Sequence, residues 1–259
     1  MRPIPIALFL IAACAHSVMA TAINERKSGT QFMAASTQAM QNDDTLNPGM
    51  LWVKDGEALW NTPASGDSTS GNLKSCAACH SQTSMKGVAS RYPAFDDLLK
   101  RPVNLSQRIN QCRQKHQAIA PLKAESQELL GLESFVAYQS RGMPVAPPPD
   151  GRLDAARLRG QQRYVQQIGQ LNLSCAQCHD NNAGGRLGSS QIPQAHPTGY
   201  PVYRLEWQTL GSLQRRLRNC MSGVRAEPFA YGASELVELE LHLAVRAKGM
   251  LIETPGVRP

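Results

Sequence analysis

Two short cysteine–histidine motifs constrain this chain more than anything else in it. Cys76-Ala-Ala-Cys79-His80 is one, and Cys175-Ala-Gln-Cys178-His179 is the other. In a C-x-x-C-H segment two thiols form thioethers to the porphyrin vinyls and the adjacent imidazole becomes the proximal iron ligand. One such segment could be chance or half of a zinc site. Two, each with a lone cysteine downstream (Cys112 after the first, Cys220 after the second), predict two covalently bound haem c groups.

The same residues recur at a fixed spacing. Tyr92-Pro93 returns as Tyr200-Pro201, and Leu105 to Cys112 returns as Leu213 to Cys220, both 108 residues on. Arg141-Gly142-Met143 returns as Lys248-Gly249-Met250, 107 residues on. The haem motifs lie 99 apart, so the second copy carries an insertion after its motif, the turn-rich Asn181 to Gly188. The chain is therefore a duplication of one domain of ordinary size. Domain 1 is expected over 49–146, a proline-rich linker over 147–151, and domain 2 over 152–259. Pro144 to Gly151 cannot be helical and reads as a stiff joint.

Each copy reads as helical. Leu129, Leu132 and Val136 recur at helical spacing, as do Leu236, Leu239 and Leu243. Asn104 followed by Gln107 predicts a capped helix leading to Cys112. Leu153 to Ile168 and Leu205 to Met221 read as further helices. No β-hairpin signal is visible. The expected fold is all-α, two tandem cytochrome c-like haem domains related by internal duplication. Aromatic residues make up only 5% of the chain, so the haems must supply much of each apolar core.

The start of the chain predicts export. A charged Met1-Arg2, an apolar run from Ile4 to Ala15 and Val18-Met19-Ala20 form a signal peptide over 1–20, cleaved after Ala20. The run is too short to span a bilayer, and no other segment could cross one. Ile11-Ala12-Ala13-Cys14 also fits a lipoprotein box, which would anchor the protein through Cys14. Residues 21–48 read as an N-terminal arm, either loose or wrapped on a partner. Export to the periplasm suits covalent haem, and it sharpens the question of Cys112 and Cys220, because exposed thiols there are oxidised or paired.

Equivalent positions imply equivalent roles for these two cysteines. They could ligate the two haem irons as thiolates, or join the domains in a disulfide. Met143 and Met250 fit a sixth ligand by count, but both follow the last helix of their domain. His116, His196 and His242 are weaker candidates. The surroundings of Cys220 are basic: Arg215, Arg216 and Arg218 precede it and Arg225 follows. Arg216, four residues before Cys220, shares its helix face, whereas Arg218 does not. The cluster reads as a solvated face, as contacts to haem propionates, or as an anion pocket that activates the thiol. Arg108 stands in the equivalent place before Cys112, with fewer cationic neighbours. The formal charge of +7 suits local anion binding, and no nucleic-acid motif is visible.

The paired C-x-x-C-H modules with downstream cysteines, Arg216-x-x-x-Cys220 and Arg141-Gly142-Met143-Pro144 resemble the SoxA family over residues 50 to 250. These are the dihaem c-type subunits of SoxAX cytochromes. The resemblance implies oxidative coupling of thiosulfate to a cysteine thiol of a SoxYZ-type carrier. It also implies a SoxX-type monohaem cytochrome as heterodimer partner and electron outlet. It implies Cys220 as the catalytic cysteine, able to carry a persulfide and to ligate the second haem, with Arg216 as the substrate residue. It implies His80 with Cys112, and His179 with Cys220, as axial pairs. Arg218 is expected to help bind the anion. The alternatives are a dihaem electron-transfer cytochrome without sulfur chemistry and a dihaem peroxidase, the latter needing an open or His-bound iron and a longer chain.

Overall fold

A computed structural model describes residues 25–63 and 74–259. The leader over 1–20 with Cys14, and the first four residues of the arm, lie outside the described residues. Among the described residues no helix is long and apolar enough to cross a membrane.

Two helical halves follow one another, as the repeat predicts. The first has α2 (Met50–Asn61), α3 (Leu105–Gln117) and α4 (Gln127–Tyr138). The second has α5 (Asp154–Val165), the motif turn α6 (Cys175–His179), α7 (Leu213–Gly223) and α8 (Ser234–Arg246). Helix α4 starts where the Ser126 hydroxyl accepts from the Leu129 amide at 3.2 Å. Its residues Leu129, Leu130, Leu132, Phe135, Val136 and Ala137 are all buried, because it lies between α2 and the other half. The crossing of α2 on α4 is so close that a Cβ on Gly56 would sit 2.0 Å from the Gly131 carbonyl oxygen. At the equivalent crossing of α5 on α8, a Cβ on Gly160 would sit 2.0 Å from the Glu238 carbonyl oxygen. Only glycine lets either pair of helices approach this far.

Two expectations about local structure are corrected. Hairpins are present: β1 (Ala94–Asp96) pairs with β2 (Arg101–Val103), β3 (Arg186–Leu187) with β4 (Ser190–Gln191), and β5 (Val202–Arg204) with β6 (Thr209–Gly211). Each strand is only two or three residues long, too short to show an alternating pattern. Consequently Leu205 to Met221 is not one helix. Residues 209–211 are strand, and helix begins only at Leu213, after the Ser212 cap.

The halves meet through equivalent segments. Residues 142–145 run antiparallel to their own equivalents, 249–252. Gly142 donates to the Ile252 carbonyl at 2.8 Å, Ile252 to Met143 at 2.9 Å, and Val145 to Met250 at 2.8 Å. The bridge pair at the centre is Pro144 with Leu251. Val145, Ala244, Ala247 and Ile252 bury a small core beneath it. The start of the proline-rich segment is thus part of the joint itself rather than a free spacer.

The arm is not loose. Helix α1 (Ala35–Asn42) lies on strand β7 (Gly256–Arg258), which extends the second half's hairpin in parallel with β5. Gln41 Oε1 accepts from the Val257 amide at 3.0 Å, and Asn47 Nδ2 donates to the Pro255 carbonyl at 2.8 Å. Asp44 reaches the first half, where it accepts from the Tyr138 hydroxyl at 2.9 Å and pairs with Arg141. Polar residues that carry no periodic signal find partners here because the C-terminal strand offers unpaired backbone groups.

Candidate active site

The second motif is built on a tight capped turn. Ser174 Oγ accepts from the Gln177 amide at 3.2 Å, and Gln177 Oε1 accepts from the Ser174 amide at 2.7 Å. One turn of α6 then presents Cys175, Cys178 and His179 together. His179 Nδ1 lies 2.6 Å from the Pro193 carbonyl oxygen. A carbonyl only accepts, so Nδ1 carries the proton and the Nε2 lone pair is free for a metal. Burial, with help from nearby Arg216, keeps this imidazole's pKa below its ordinary value despite the Pro193 contact. Both favour the neutral ring, the form a ligand must take.

Helix α7 brings Cys220 against this turn. Burial, followed by the neighbouring Cys220, pushes the Cys175 thiol up to about 11. Arg216 lies one turn back on the same face. Burial works against its charge, but Cys220, Tyr200 and Glu206 outweigh that and raise its pKa. Among the described residues Arg216 forms no ion pair. Arg218 turns elsewhere: its guanidinium stacks 4.5 Å above the Tyr231 ring and donates to the Pro228 carbonyl at 3.5 Å. Arg215 likewise stacks on Trp207, at 4.2 Å.

The first motif is more open. His80 and Cys79 are exposed, and the His80 ring leans toward Trp60 with centroids 6.1 Å apart. Cys112, on α3, sits near Cys79. Burial raises the Cys112 thiol's pKa, opposed by Arg108 and reinforced by Cys79. Arg108 is engaged, since its Nη2 lies 2.9 Å from the buried carboxylate of Asp96.

The six described cysteines are free thiols, so Cys112 and Cys220 are not joined, and each stands beside its own motif. Met143 packs toward Gly87, and Met250 packs on the Val145–Ala244 core at the joint. His196 Nδ1 is taken by the Lys27 carbonyl at 2.8 Å. His242 lies on α8 against the Tyr164 ring, centroids 5.1 Å apart. His116 is exposed.

One residue escaped the sequence reading. Asp96 ends β1, and the residue ending the equivalent strand β5 is Arg204. Arg204 is buried, pairs with Glu206 at 3.0 Å and lies close enough to Arg216 for their charges to repel. The 108-residue repeat spacing sets Arg204 opposite Asp96, so the exchange is itself a sequence signal.

Both motifs fit haem. Around Cys76 the half-buried side chains of Met85, Val88, Ile109 and Leu122 leave an apolar surface. Ile168, Ala195, Leu213 and Leu217 do the same around Cys175. A flat macrocycle would cover exactly such surfaces, and the thiol pair and neutral imidazole supply the bonds it needs. A helical fold bearing this chemistry defines a c-type cytochrome, a protein that binds haem c.

Comparison with known proteins narrows the class. The family model for the SoxA/TsdA cytochrome c domain matches residues 55–145 and 159–252. The L-cysteine S-thiosulfotransferase subunit SoxA of Pseudaminobacter salicylatoxidans is 36% identical over 238 residues, 91% of this chain and 82% of that protein. The protein of the same name from Rhodovulum sulfidophilum is 33% identical, covering 93% and 83%. The crystal structure of SoxXA from P. pantotrophus contains a chain that matches with a TM-score of 0.85 and 32% identity, over 90% of this chain and 87% of that one. The chain belongs to the SoxA/TsdA cytochrome c domain family, among its SoxA members.

Proposed function

We propose that this chain is the dihaem subunit of a periplasmic L-cysteine S-thiosulfotransferase, which joins thiosulfate to a cysteine thiol of a SoxYZ-type carrier. It carries two haem c groups, one in a domain over 49–146 and one in a domain over 152–259. The segment 147–151 lies between them, and the arm over 21–48 follows a cleaved leader. Cys76 and Cys79 would hold the first group, with His80 and Cys112 offered to its iron. Cys175 and Cys178 would hold the second, with His179 and Cys220 offered to its iron.

When bound, haem supplies a one-electron acceptor beside the reacting sulfur. The protein's own residues bind and orient. Arg216, unpaired and backed by Arg204, holds the sulfonate oxygens through charge-assisted hydrogen bonds. Cys220 meets the outer sulfur of the substrate. The Pro193 carbonyl keeps His179 in one tautomer and orientation. Arg218, held over Tyr231 and on the Pro228 carbonyl, contributes no more than long-range charge. In the net reaction a carrier thiol loses its proton, a sulfur–sulfur bond forms to thiosulfate, and two electrons pass to a SoxX-type monohaem cytochrome bound as heterodimer partner. The observation that carries this reading is the unpaired Arg216 beside Cys220.

The test is carrier mass before and after incubation with thiosulfate, the partner cytochrome and an electron acceptor. Cys220→Ala is expected to abolish the mass gain. Its own mass should still exceed the polypeptide by two haems, about 616 Da each, because Cys175 and Cys178 make the thioethers. Full activity in Cys220→Ala would leave a dihaem electron-transfer cytochrome as the better reading. A single haem mass would remove the two-haem assignment.

A further inference from the structure

The helices that carry Cys112 and Cys220 are each held at the N-terminus by a carboxylate from the opposite half of the molecule. In α3 the cap residue Asn104 faces two ways. Its Oδ1 accepts from the Gln107 amide inside the helix at 3.0 Å, while its Nδ2 donates to both carboxylate oxygens of Glu240 at 3.2 Å. Glu240 belongs to α8, in the second half. In α7 the cap residue Ser212 does the same. Its Oγ accepts from the Arg215 amide at 3.1 Å and donates to Glu125 Oε1, while its backbone amide donates to Glu125 Oε2 at 3.3 Å. Glu125 belongs to the loop before α4, in the first half.

Two further observations set these contacts apart from ordinary interface polarity. Glu125 has φ of 63°, a left-handed backbone that is unfavourable for a residue with a side chain. The surrounding structure holds it there, and in that conformation the carboxylate reaches Ser212. The caps also line one cavity of about 270 Å³ between the halves, together with Glu125, Glu133, Gln214 and Glu240. Both carboxylates cross this seam at the helix starts, and at α3 Gln107 Nε2 also donates to the Gly232 carbonyl of the second half at 3.0 Å.

The geometry has leverage. Each third cysteine lies eight residues beyond its cap, about 12 Å along the helix, so a tilt of about 5° at the cap moves the sulfur by about 1 Å. Displacements of that size matter for ligation and for reaction. The aligned peptide dipoles at a helix N-terminus favour such a carboxylate further in its ionised form.

We infer that Glu125 is a positioning residue for Cys220 and Glu240 a positioning residue for Cys112, so that each axial cysteine is aimed by the other domain. This rests on the proposed ligation of both haem irons by these cysteines. It predicts a crossed pattern that a local structural role would not produce.

The experiment is low-temperature EPR of the oxidised holoprotein. Its two low-spin signals are first assigned by Cys112→Met and Cys220→Met. Glu125→Ala should then shift or broaden the signal that belongs to Cys220, although Glu125 lies in the first domain, and leave the Cys112 signal unmoved. Glu240→Ala should do the reverse. Turnover in Glu125→Ala should fall about tenfold with little change in KM, and Glu125→Gln, which keeps an acceptor for the Ser212 hydroxyl, should recover most of it. If Glu125→Ala does not fold, Glu125→Gln and Ser212→Ala replace it and should move the same signal by less. Variants that disturb only their own domain's signal, or neither signal, overturn the inference alone. Unchanged signals in both Cys→Met variants would remove the ligation reading and this inference with it.

Discussion

The two halves share a scaffold and differ at one decisive pair of positions. In the first half Arg108, four residues before Cys112, is locked to Asp96 at 2.9 Å. The Leu99 amide, then Arg108, hold that carboxyl below its usual range. In the second half Arg216, four residues before Cys220, has Arg204 where the first half has Asp96. The first arginine is spent on structure. The second is half-buried, forms no ion pair among the described residues, and has Arg204 beside it. The second copy exchanges one acidic residue for a basic one, while the helix, the cap and the cysteine stay where they were.

The largest expected effect separates the two cysteines. Cys220→Ala should eliminate thiosulfate transfer, whereas Cys112→Ala should leave most of it, measured as carrier mass gain under identical conditions. Equal loss in both variants would make the halves functionally alike.

Arg204→Asp should make the second site resemble the first. An acid beside Arg216 would compete with the substrate, raising KM for thiosulfate by roughly 10- to 100-fold, the worth of a charge-assisted contact. An unchanged KM would remove Arg204 from the pocket.

Arg216→Ala and Arg108→Ala should fail in opposite ways. Arg216→Ala should slow turnover by roughly 10- to 100-fold with the melting temperature nearly constant. Arg108→Ala should leave turnover almost unchanged but cost about 1–3 kcal/mol of stability, because Asp96 keeps a buried carboxylate without its partner. Thermal denaturation and initial rates on the same preparations distinguish the two.

The smallest effect concerns the seam, where the halves remain alike. Glu133 and Glu240 are equivalents under the 107-residue repeat. Burial, with Glu240 and Glu125 nearby, pushes Glu133 up to about 8, and burial pushes Glu240 up to about 7 despite Gln214 and Asn104. The folded state therefore holds protons that the unfolded chain releases above its ordinary carboxyl pKa. Stability from these groups is fully present below about pH 4.5 and is lost as pH rises through about 7 and 8, with a slope of at most about 1.4 kcal/mol per pH unit for each group. Glu133→Gln should flatten the upper part of that decline in denaturant titrations from pH 5 to 9.

The cytochrome c class, the duplication and the main helices were legible because their signals are local. A C-x-x-C-H segment sets two thiols and an imidazole within five contiguous residues. Capped amphipathic helices repeat every three or four residues, and Asn104 with Gln107 forms the capping box its spacing predicts. Strands of two or three residues carry no such signal, so the hairpins before α3 and α7 went unread. The arm's polar residues gave no sign of their partners, which lie more than 200 positions away at the C-terminal strand.

By itself the sequence determined the cytochrome c class, its two domain segments, and that Arg216 and Cys220 share a helix face. Only the tertiary structure decided which arginine is neutralised, how Glu125 and Glu240 reach across to the opposite helices, and that the arm straps both halves. The reason is physical. A helix turn brings neighbours together through bonds the backbone makes with itself, whereas the pairing of a buried charge depends on which distant group the fold delivers within about 3 Å of it.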